Sequence, residues 1–546
     1  MTERRLAHHA SSRSVSLWAA LAVTAAWLAT SWVVLTSDRT EIQALILCLP
    51  ASLAASVLTC VLLRAHAPEL SGANLSLLVR AGGRATVAAV LTALATLAWT
   101  AGVVLGGFPN SGDEYAYALQ AQTYAAGRLW VESPVLPDAF RLARFLSKDG
   151  IWVSQYQPGW ALLMSPAAAL GLPLWLVNPL IGTALLFAFF RLAAGYVSRE
   201  MSWVATLTLG TSAFFLLNLG SFFSHGATAL AAVLSALCVA RYLRHGGWRW
   251  AVLAGVLAGC IGFTRILNAV VLLVPITTAM LLTPGRRLGV LALAAGGAPF
   301  LLAVLAYNEA ITGNPLLFVP NWFKPGGETF GVFGVHTIML TIDRVLRLGE
   351  WTSPILVAAA PAAFLLLAAR GRLAFVDWLA PTTVLAFLFY AGSGGDQYGP
   401  RYYFEAWPFA LLTIARAVDP LLAGDRSNPR SAWVAAAALS ILAAQLAYLP
   451  GRLAREHRVV FERQEPFRLV RQAGLTNAVV LVGEAGAGHL RPMPPPDLVR
   501  NGLDVRLPSV VYAWDLPERY QDLRSLFPGR EFYRYRPGRL ESVQVP

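Results

Sequence analysis

The sequence predicts an all-α polytopic membrane protein, with about thirteen transmembrane helices and a small α/β domain at the carboxyl-terminal end outside the membrane. Three observations predict it. Hydrophobic residues make up 56% of the 546 positions and charged residues only 13%, where a soluble chain carries about 25% charged residues. Apolar runs of the length that crosses a hydrocarbon core recur along residues 16–449. Charge collects at the end, with 26 of the 43 Lys+Arg and 30 Asp+Glu residues lying within 451–546. This composition excludes one large water-soluble enzyme and excludes a disordered chain.

The apolar runs are 16–36, 42–63, 85–107, 173–195, 201–219, 226–243, 250–264, 266–283, 288–307, 351–370, 374–391, 403–422 and 431–449. The first has a basic flank (Arg4, Arg5, Arg13) but exceeds a signal-peptide core, so it reads as a retained anchor. The stretch 159–170, after Pro158-Gly159, is too short to cross and reads as a half-helix or juxtamembrane helix. The chain divides into amino-terminal transmembrane helices 1–107, a first large outer loop 108–158, a transmembrane core 159–450 with outer loops 308–350 and 392–402, and a soluble domain 451–546.

Orientation follows from arginine in the short loops. Arg64, Arg80, Arg84, Arg199, Arg244, Arg249, Arg286, Arg287, Arg372, Arg426 and Arg430 fall on one side, while the opposing turns 37–41, 220–225 and 392–402 hold only Arg39 and Arg401. The expected arrangement is a multi-pass protein of the inner or plasma membrane, amino terminus in the cytoplasm and carboxyl-terminal domain outside. The net charge of +13 then comes mainly from inner loops, so no nucleic-acid partner is inferred. Cys48, Cys60, Cys238 and Cys260 all lie inside apolar runs, where a thiol behaves as a small hydrophobe. The spans carry almost no charge near their middles. Asp377, Arg416 and Asp419 lie towards inner ends, which argues against an ion-coupled transporter.

Every motif-like stretch falls on the outer face. The first loop opens FPNSGDEYAYALQAQTYAAGRL. Ser111 and Glu114 form a capping box, so a helix is expected over 112–127. Asp113 and Glu114 sit in its first turn, where the helix dipole favours carboxylates. Those acids serve either to start the helix or, projecting from the membrane surface, to supply a general base towards an acceptor hydroxyl or amine. Tyr117, Gln120 and Tyr124 share a face and read as packing residues or interfacial anchors, with Tyr117 and Tyr156 also candidates for a substrate pocket. Lys148, one of only two lysines, is a candidate phosphate contact or a solvated loop residue. His225 begins a helix in SFFSHGA and reads as a satisfied helix-end histidine or a pocket residue. Arg265 stands between two spans, where a guanidinium is costly unless it snorkels or binds an anion. The loop 308–350 is longer than a plain connection requires.

The last cluster is GSGGDQYGPRYYFEAWP, 392–408. It offers Asp396, Tyr398, Arg401 and Glu405. Arg401 and Glu405, four apart, form either an intrahelical ion pair or a phosphate grip in which the arginine binds and the glutamate orients it. In the tail, 478–483, 509–514 and 531–536 read as strands after a basic helical stretch, and no Walker or dinucleotide-binding glycine pattern is present.

An aromatic-Pro followed by SGDEYAYALQAQTYAAGRL resembles bacterial membrane glycosyltransferases of the GT-C fold, in the protein-mannosyltransferase-like and aminoarabinose-transferase-like group. QYQPGW with LWLVNPLIG, TGNPL and YGPRYYFEAWP are similar to the same group, over residues 105–410. Gln157 stands where relatives often have another proline, and two spans precede the one leading into the acidic loop, whereas many relatives have that loop after the first span. The resemblance implies a polyprenyl-phosphate-linked sugar as donor and an envelope glycan, lipid or protein as acceptor. It implies inverting transfer with Asp113 as base and Glu114 as its partner or alternative. Arg401, with Arg265 or Lys148, would stabilise the leaving phosphate. A divalent metal (Mg or Mn) held by Asp113 and Glu114 is left open. A lipid-linked-glycan ligase of the O-antigen type and a non-catalytic lipid-sugar flippase are the alternatives. All of this requires Asp113 and Arg401 to meet in one pocket, and a separation beyond about 20 Å excludes it.

Overall fold

The computed structural model describes residues 82–324, 331–392, 394–422, 429–483 and 493–545. The predicted spans 16–36 and 42–63, with Cys48 and Cys60, lie outside these residues. In chain order the helical part comprises α1 (Gly82–Trp99, continued by a π-turn Thr100–Val104), α2 (Gly112–Ala125), a hairpin region β1 (Val131–Glu132), β2 (Phe145–Lys148) and β3 (Ile151–Ser154), then α3 (Pro158–Ala169), α4 (Val177–Ala193), α5 (Arg199–Gly210), α6 (Ala213–Gly220), α7 (His225–His245), α8 (Trp248–Gly262), α9 (Ile266–Leu282) and α10 (Gly289–Thr312). The second half adds α11 (Val319–Phe323), α12 (Val335–Trp351), α13 (Pro354–Ala369), α14 (Phe375–Phe387), α15 (Trp407–Leu422), α16 (Pro429–Arg463) and α17 (Glu465–Gln472).

Among the described residues, four helical stretches are long and apolar enough to cross a membrane: Thr86–Val104, Leu174–Ala193, His225–His245 and Gly289–Thr312. Two further pairs are long and apolar enough only when taken together, each bent at a break, α5 with α6 (61°) and α12 with α13 (120°). The run 201–219, expected as one span, is therefore interrupted, because Ser212 leaves the first helix and accepts from Phe215 N–H to start the second. Several other helices are shorter than a full crossing. The 15 residues of α8 span roughly 22 Å against a hydrocarbon core of about 30 Å. Apolar runs in the sequence thus do not show where a helix is broken or how short it is, while α3 matches the helix expected after Pro158-Gly159.

The outer loop 308–350 is not irregular throughout. It contains α12, whose buried positions Thr337, Thr341, Arg344 and Leu348 alternate with exposed Val335, Met339, Ile342 and Leu346. Both sets follow helical spacing, but the polar side faces protein and the apolar side faces outward. That inversion suits a helix lying against lipid rather than water.

The carboxyl-terminal region adds β4 (Ala478–Val482), α18 (Pro495–Leu498), β5 (Val510–Trp514), α19 (Tyr520–Leu526), β6 (Glu531–Arg536) and β7 (Arg539–Ser542). The sheet order is β5-β4-β6-β7, parallel except for the β6-β7 edge. β4, flanked on both sides, is buried at every position. The expected boundary at residue 451 falls inside α16, which runs on for another turn and more to Arg463. The domain also shares one apolar core with the first outer loop: Ala116, Leu119, Phe140 and Trp152 pack with Val480, Val511 and Phe532. Loop and tail therefore form one cap. The three expected strands are present. The hairpin of β2 and β3, with β1 beside β3, was not anticipated.

Arg452 ties α16 to the α12–α13 bend. It is buried, donates to Glu350 (2.8 Å) and lies 3.5 Å over the Trp351 ring. Removing it leaves a carboxylate without its partner. Arg452→Ala is expected to cost about 3 kcal/mol or more, read as a lower unfolding midpoint in detergent, and adding Glu350→Gln is expected to recover part of it. An unchanged midpoint contradicts this role.

Candidate functional site

The site is built on the first turn of α2. Ser111 caps the helix, its Oγ accepting from Glu114 N–H (3.3 Å). Gly112 is required by a close approach: a Cβ there would lie 2.2 Å from Asp497 Oδ1 and 2.4 Å from Ala143 Cβ. Asp497, from α18, accepts from the Gly112 N–H, so the carboxyl-terminal domain seats directly on the start of this helix. The two acids that follow then point to different environments.

Asp113 accepts from three groups: Tyr156 Oη (2.5 Å) and Arg144 Nε (3.0 Å) at Oδ1, and Arg401 Nη2 (2.6 Å) at Oδ2. Burial pushes its carboxyl up, but Arg401, Arg144 and the Tyr156 hydroxyl outweigh burial and hold it below the usual carboxylate range. Glu114 is fully buried. It accepts from Phe222 N–H (3.1 Å) and Gln397 Nε2 (2.9 Å). Burial dominates there and pushes the carboxyl up to about 7. Adjacent acids thus take opposite shifts, a separation typical of sites that divide their acid and base roles. Glu114 does not project from the surface as expected, because helical spacing turns it into the protein when Asp113 faces the cavities.

Arg401 reaches Asp113 from a glycine-rich loop. Its backbone N–H donates to Gly395 O and Gly399 O (both 2.8 Å). Arg344 on α12 donates from Nη2 to Gly392 O and Gly394 O, both at 2.7 Å, and so holds the loop from beneath. Three guanidiniums surround the Tyr402 ring, Arg344 at 5.1, Arg265 at 5.7 and Arg401 at 5.9 Å from its centroid. Arg265 follows a turn fixed by α3, where Gly159 N–H donates to Phe263 O (2.9 Å). A Cβ on Gly159 would stand 2.7 Å from that oxygen.

Two cavities meet here. One, of about 550 Å³, is lined by Arg265, Tyr117, Tyr156 and Tyr402 together with apolar Ile266, Leu267, Val270, Phe318 and Pro320. Val270 is exposed on the outside of the bundle, so this cavity opens at the outer wall of the helical bundle. The other, of about 720 Å³, lies under the cap and includes Asp113, Arg141, Arg144, Lys324 and Asp497. Gln155 lines both. Asp113 thus stands on the partition, bonded to Tyr156 of the first cavity while lining the second.

Of the residues singled out in the sequence, Asp113, Tyr117, Tyr156, Arg265 and Arg401 come together. Tyr117 stacks on Tyr156 at 4.3 Å and its hydroxyl meets Ser224 Oγ (3.3 Å). The Arg401–Glu405 ion pair does not form, since Arg401 turns to Asp113. Glu405 instead accepts from Thr228 Oγ1 (2.6 Å), contacts His225 Nδ1 (3.1 Å) and pairs with Arg265 Nε (3.6 Å). Glu405 and His225 therefore stand behind Arg265 rather than in the first cavity. Tyr398 is a wall residue, not a pocket residue: it is fully buried, its hydroxyl accepts from Asn110 Nδ2 (2.8 Å) and its carbonyl from Asn218 Nδ2 (2.9 Å). Asp396 lies 3.9 Å from Arg344 Nε, on the loop. Lys148 stands apart. Its ammonium donates to Trp322 O (2.7 Å) and lies 4.8 Å from the Trp322 ring centroid. Arg144, Arg344, Gln397 and Tyr402 were not singled out. Gln397 and Tyr402 lie inside the quoted motif, and Arg344 sits on the polar stripe of α12.

The donor set does not fit a divalent ion. Among the described residues no three His, Cys, Asp or Glu side chains gather at one point. Asp113 is surrounded by two guanidiniums and a phenol, and Glu114 is directed elsewhere.

No family model matches the sequence. No curated protein matches it. Among solved structures, the chain is similar to ArnT from Cupriavidus metallidurans bound to undecaprenyl phosphate, with TM-score 0.52 and 14% identity over 82% of this chain and 92% of that one. Arabinofuranosyltransferase AftD from Mycobacteria also matches, with TM-score 0.47 and 19% identity over 79% of this chain and 31% of that one. The archaeal oligosaccharyltransferase AglB from Archaeoglobus fulgidus matches with TM-score 0.45 and 13% identity, covering 68% and 56%. The likeness to ArnT shows a shared fold, the GT-C fold of membrane glycosyltransferases that the sequence resemblance implied.

Burying Glu114 carries a pH signature. Its folded value of about 7 lies above its ordinary 4.5, so folding favours the protonated form. The stability this lends is full below 4.5 and is lost as pH rises through about 7. The unfolding midpoint is expected to fall as pH rises from 4.5 to about 7 and to level off above that, and Glu114→Gln is expected to flatten that slope. An unaltered slope in Glu114→Gln contradicts the assignment.

Proposed function

We propose that the chain is an integral membrane glycosyltransferase that moves a sugar from a polyprenyl phosphate to an acceptor outside the cytoplasm, with inversion at the anomeric carbon. The observation that carries this reading is the Asp113–Arg401 ion pair on the partition between a lipid-facing and an outward-facing cavity. The shared fold with ArnT, solved with undecaprenyl phosphate bound, supports a donor of that class. The multi-pass topology inferred from arginine distribution, amino terminus inside and carboxyl-terminal cap outside, belongs to the same proposal.

The donor enters sideways from lipid past Val270 and Phe318, so its isoprenoid chain stays among apolar side chains. Its phosphate meets the guanidiniums around Tyr402, with Arg265 on the cavity wall and Arg401 behind. At rest Asp113 is a weak base, because both arginines hold its charged form. A phosphate that draws Arg401 away removes the largest of those stabilising charges, and the proton affinity of Asp113 rises. The acceptor hydroxyl then gives its proton to Asp113 while its oxygen forms a bond to the anomeric carbon. The anomeric carbon–oxygen bond to phosphate breaks, and its electron pair leaves on the phosphate, where Arg401 and Arg265 stabilise the charge. Glu405 fixes the orientation of Arg265, and Glu114 fixes Gln397 and the backbone at Phe222.

Asp113→Asn is expected to lower transfer by about 10²–10⁴-fold, assayed in membranes with a radiolabelled polyprenyl-phosphate sugar, with membrane insertion intact. Arg401→Lys is expected to fall short of wild type as well, because a single ammonium cannot reproduce the guanidinium fork. Near-normal transfer by correctly inserted Asp113→Asn sinks the proposal.

A further inference from the structure

The outward cavity carries an assignment of its own. Its walls are the start of α2, the 134–155 stretch, the end of α11 and the 494–497 segment of the carboxyl-terminal domain. None of the long bundle helices lines it, so a ligand reaches it from water and not from the bilayer. Three carboxylates, Asp113, Asp138 and Asp497, face it with three cations, Arg141, Arg144 and Lys324. Their charges cancel. Such a wall offers fixed acceptors beside fixed donor forks, which matches vicinal hydroxyls that both donate and accept. A fatty chain would have to desolvate these charges.

The cavity is also held open by docking between its two halves. Ala143 N–H donates to Pro496 O (3.1 Å), Trp514 N–H to Ala139 O (2.8 Å) and Trp514 Nε1 to Arg141 O (3.1 Å). Arg519 pairs with Asp138 (3.0 Å). A site already formed spares a ligand the cost of ordering it. Its volume of about 720 Å³ falls within the range of small-ligand sites.

We infer that this cavity is the acceptor site, and that the acceptor is a hydroxyl-rich carbohydrate end presented from the aqueous side, held by Arg141 and by the wall that the carboxyl-terminal domain contributes. The inference rests on the proposed transfer reaction and names its second substrate. Asp113 faces this cavity while its hydrogen-bond partner Tyr156 faces the other. Acceptor hydroxyl and donor phosphate thus enter from opposite sides of the partition, which lets the hydroxyl attack the anomeric carbon on the face opposite the breaking bond to phosphate, as displacement with inversion requires.

The test uses the full chain in lipid nanodiscs, a radiolabelled polyprenyl-phosphate sugar, and three probes: soluble oligosaccharides with hexose or pentose ends, a serine-rich peptide, and a glycolipid. Soluble oligosaccharides are expected to accept the sugar. Arg141→Ala is expected to raise their KM about tenfold or more with the donor KM unchanged, and Arg141→Trp, which fills the cavity, to abolish transfer. Slow release of sugar to water, dependent on Asp113, is expected to persist in both variants and reports an intact donor side. As a measurement independent of turnover, the oligosaccharides are expected to protect Asp138→Cys from a maleimide. Transfer only to the peptide or the glycolipid, an unchanged acceptor KM in both Arg141 variants, or no protection of the cysteine overturns the inference. Failure of the wild type to consume the donor at all, with or without acceptor, counts instead against the proposed reaction.

Discussion

A carboxylate removed from water must be paired or protonated, and the outer end of this molecule is organised around that constraint at Asp113. Leaving such a charge without partners costs several kcal/mol. Arg401, 288 residues later in the chain, supplies the closer of two guanidiniums, and Arg144 and Tyr156 complete the set. Much of the surrounding structure exists to bring that guanidinium into place. The glycine-rich loop turns through a left-handed backbone at Tyr398 (φ 58°). Asn110 and Asn218 pin that tyrosine, and Arg344 clamps the loop carbonyls. Glu114 meets the same constraint by the other route, with a carboxyl that burial pushes up to about 7.

The pair also links the two faces of the proposed reaction. A guanidinium shared between a base and an incoming phosphate couples donor binding to base strength. While the donor is absent, Asp113 is held in its charged, weakly basic form. The cap that closes over it is a single unit made from the first outer loop and the carboxyl-terminal domain, which share one core. The Asp497–Gly112 contact carries the position of that cap directly to the start of α2. The inverted amphipathic helix α12 works on the other side, leaving its apolar side chains exposed and turning Arg344 towards the loop.

Much of this was legible in the sequence where the signal is local. Ser111 and Glu114 marked the start of α2, Pro158-Gly159 marked α3, and short runs rich in β-branched or aromatic residues marked β4, β5 and β6. The juxtaposition of Asp113 with Arg401 came from motif resemblance, since no local pattern connects residues 288 positions apart. What was not legible depends on tertiary choice. Arg401 and Glu405 have ideal spacing for a pair with each other, yet each finds a better-placed buried partner elsewhere. Lys148 looked like a phosphate ligand because lysine is scarce, but rarity carries no geometry, and Trp322 takes its ammonium. The break at Ser212 and the shortness of α8 were not legible, because apolar composition does not reveal where a helix is interrupted or where it ends. The boundary at 451 followed the change in charge density, whereas the backbone of α16 continues through it.

The most direct test is a cryo-electron microscopy structure of the full chain with a polyprenyl phosphate bound in nanodiscs. The account predicts the phosphorus within about 4 Å of the Arg401 guanidinium, with Arg265 beside it, the isoprenoid chain leaving past Val270, and the Arg401–Asp113 contact opened. A phosphate bound away from Tyr402 and its three arginines, with the Arg401–Asp113 pair intact, contradicts it.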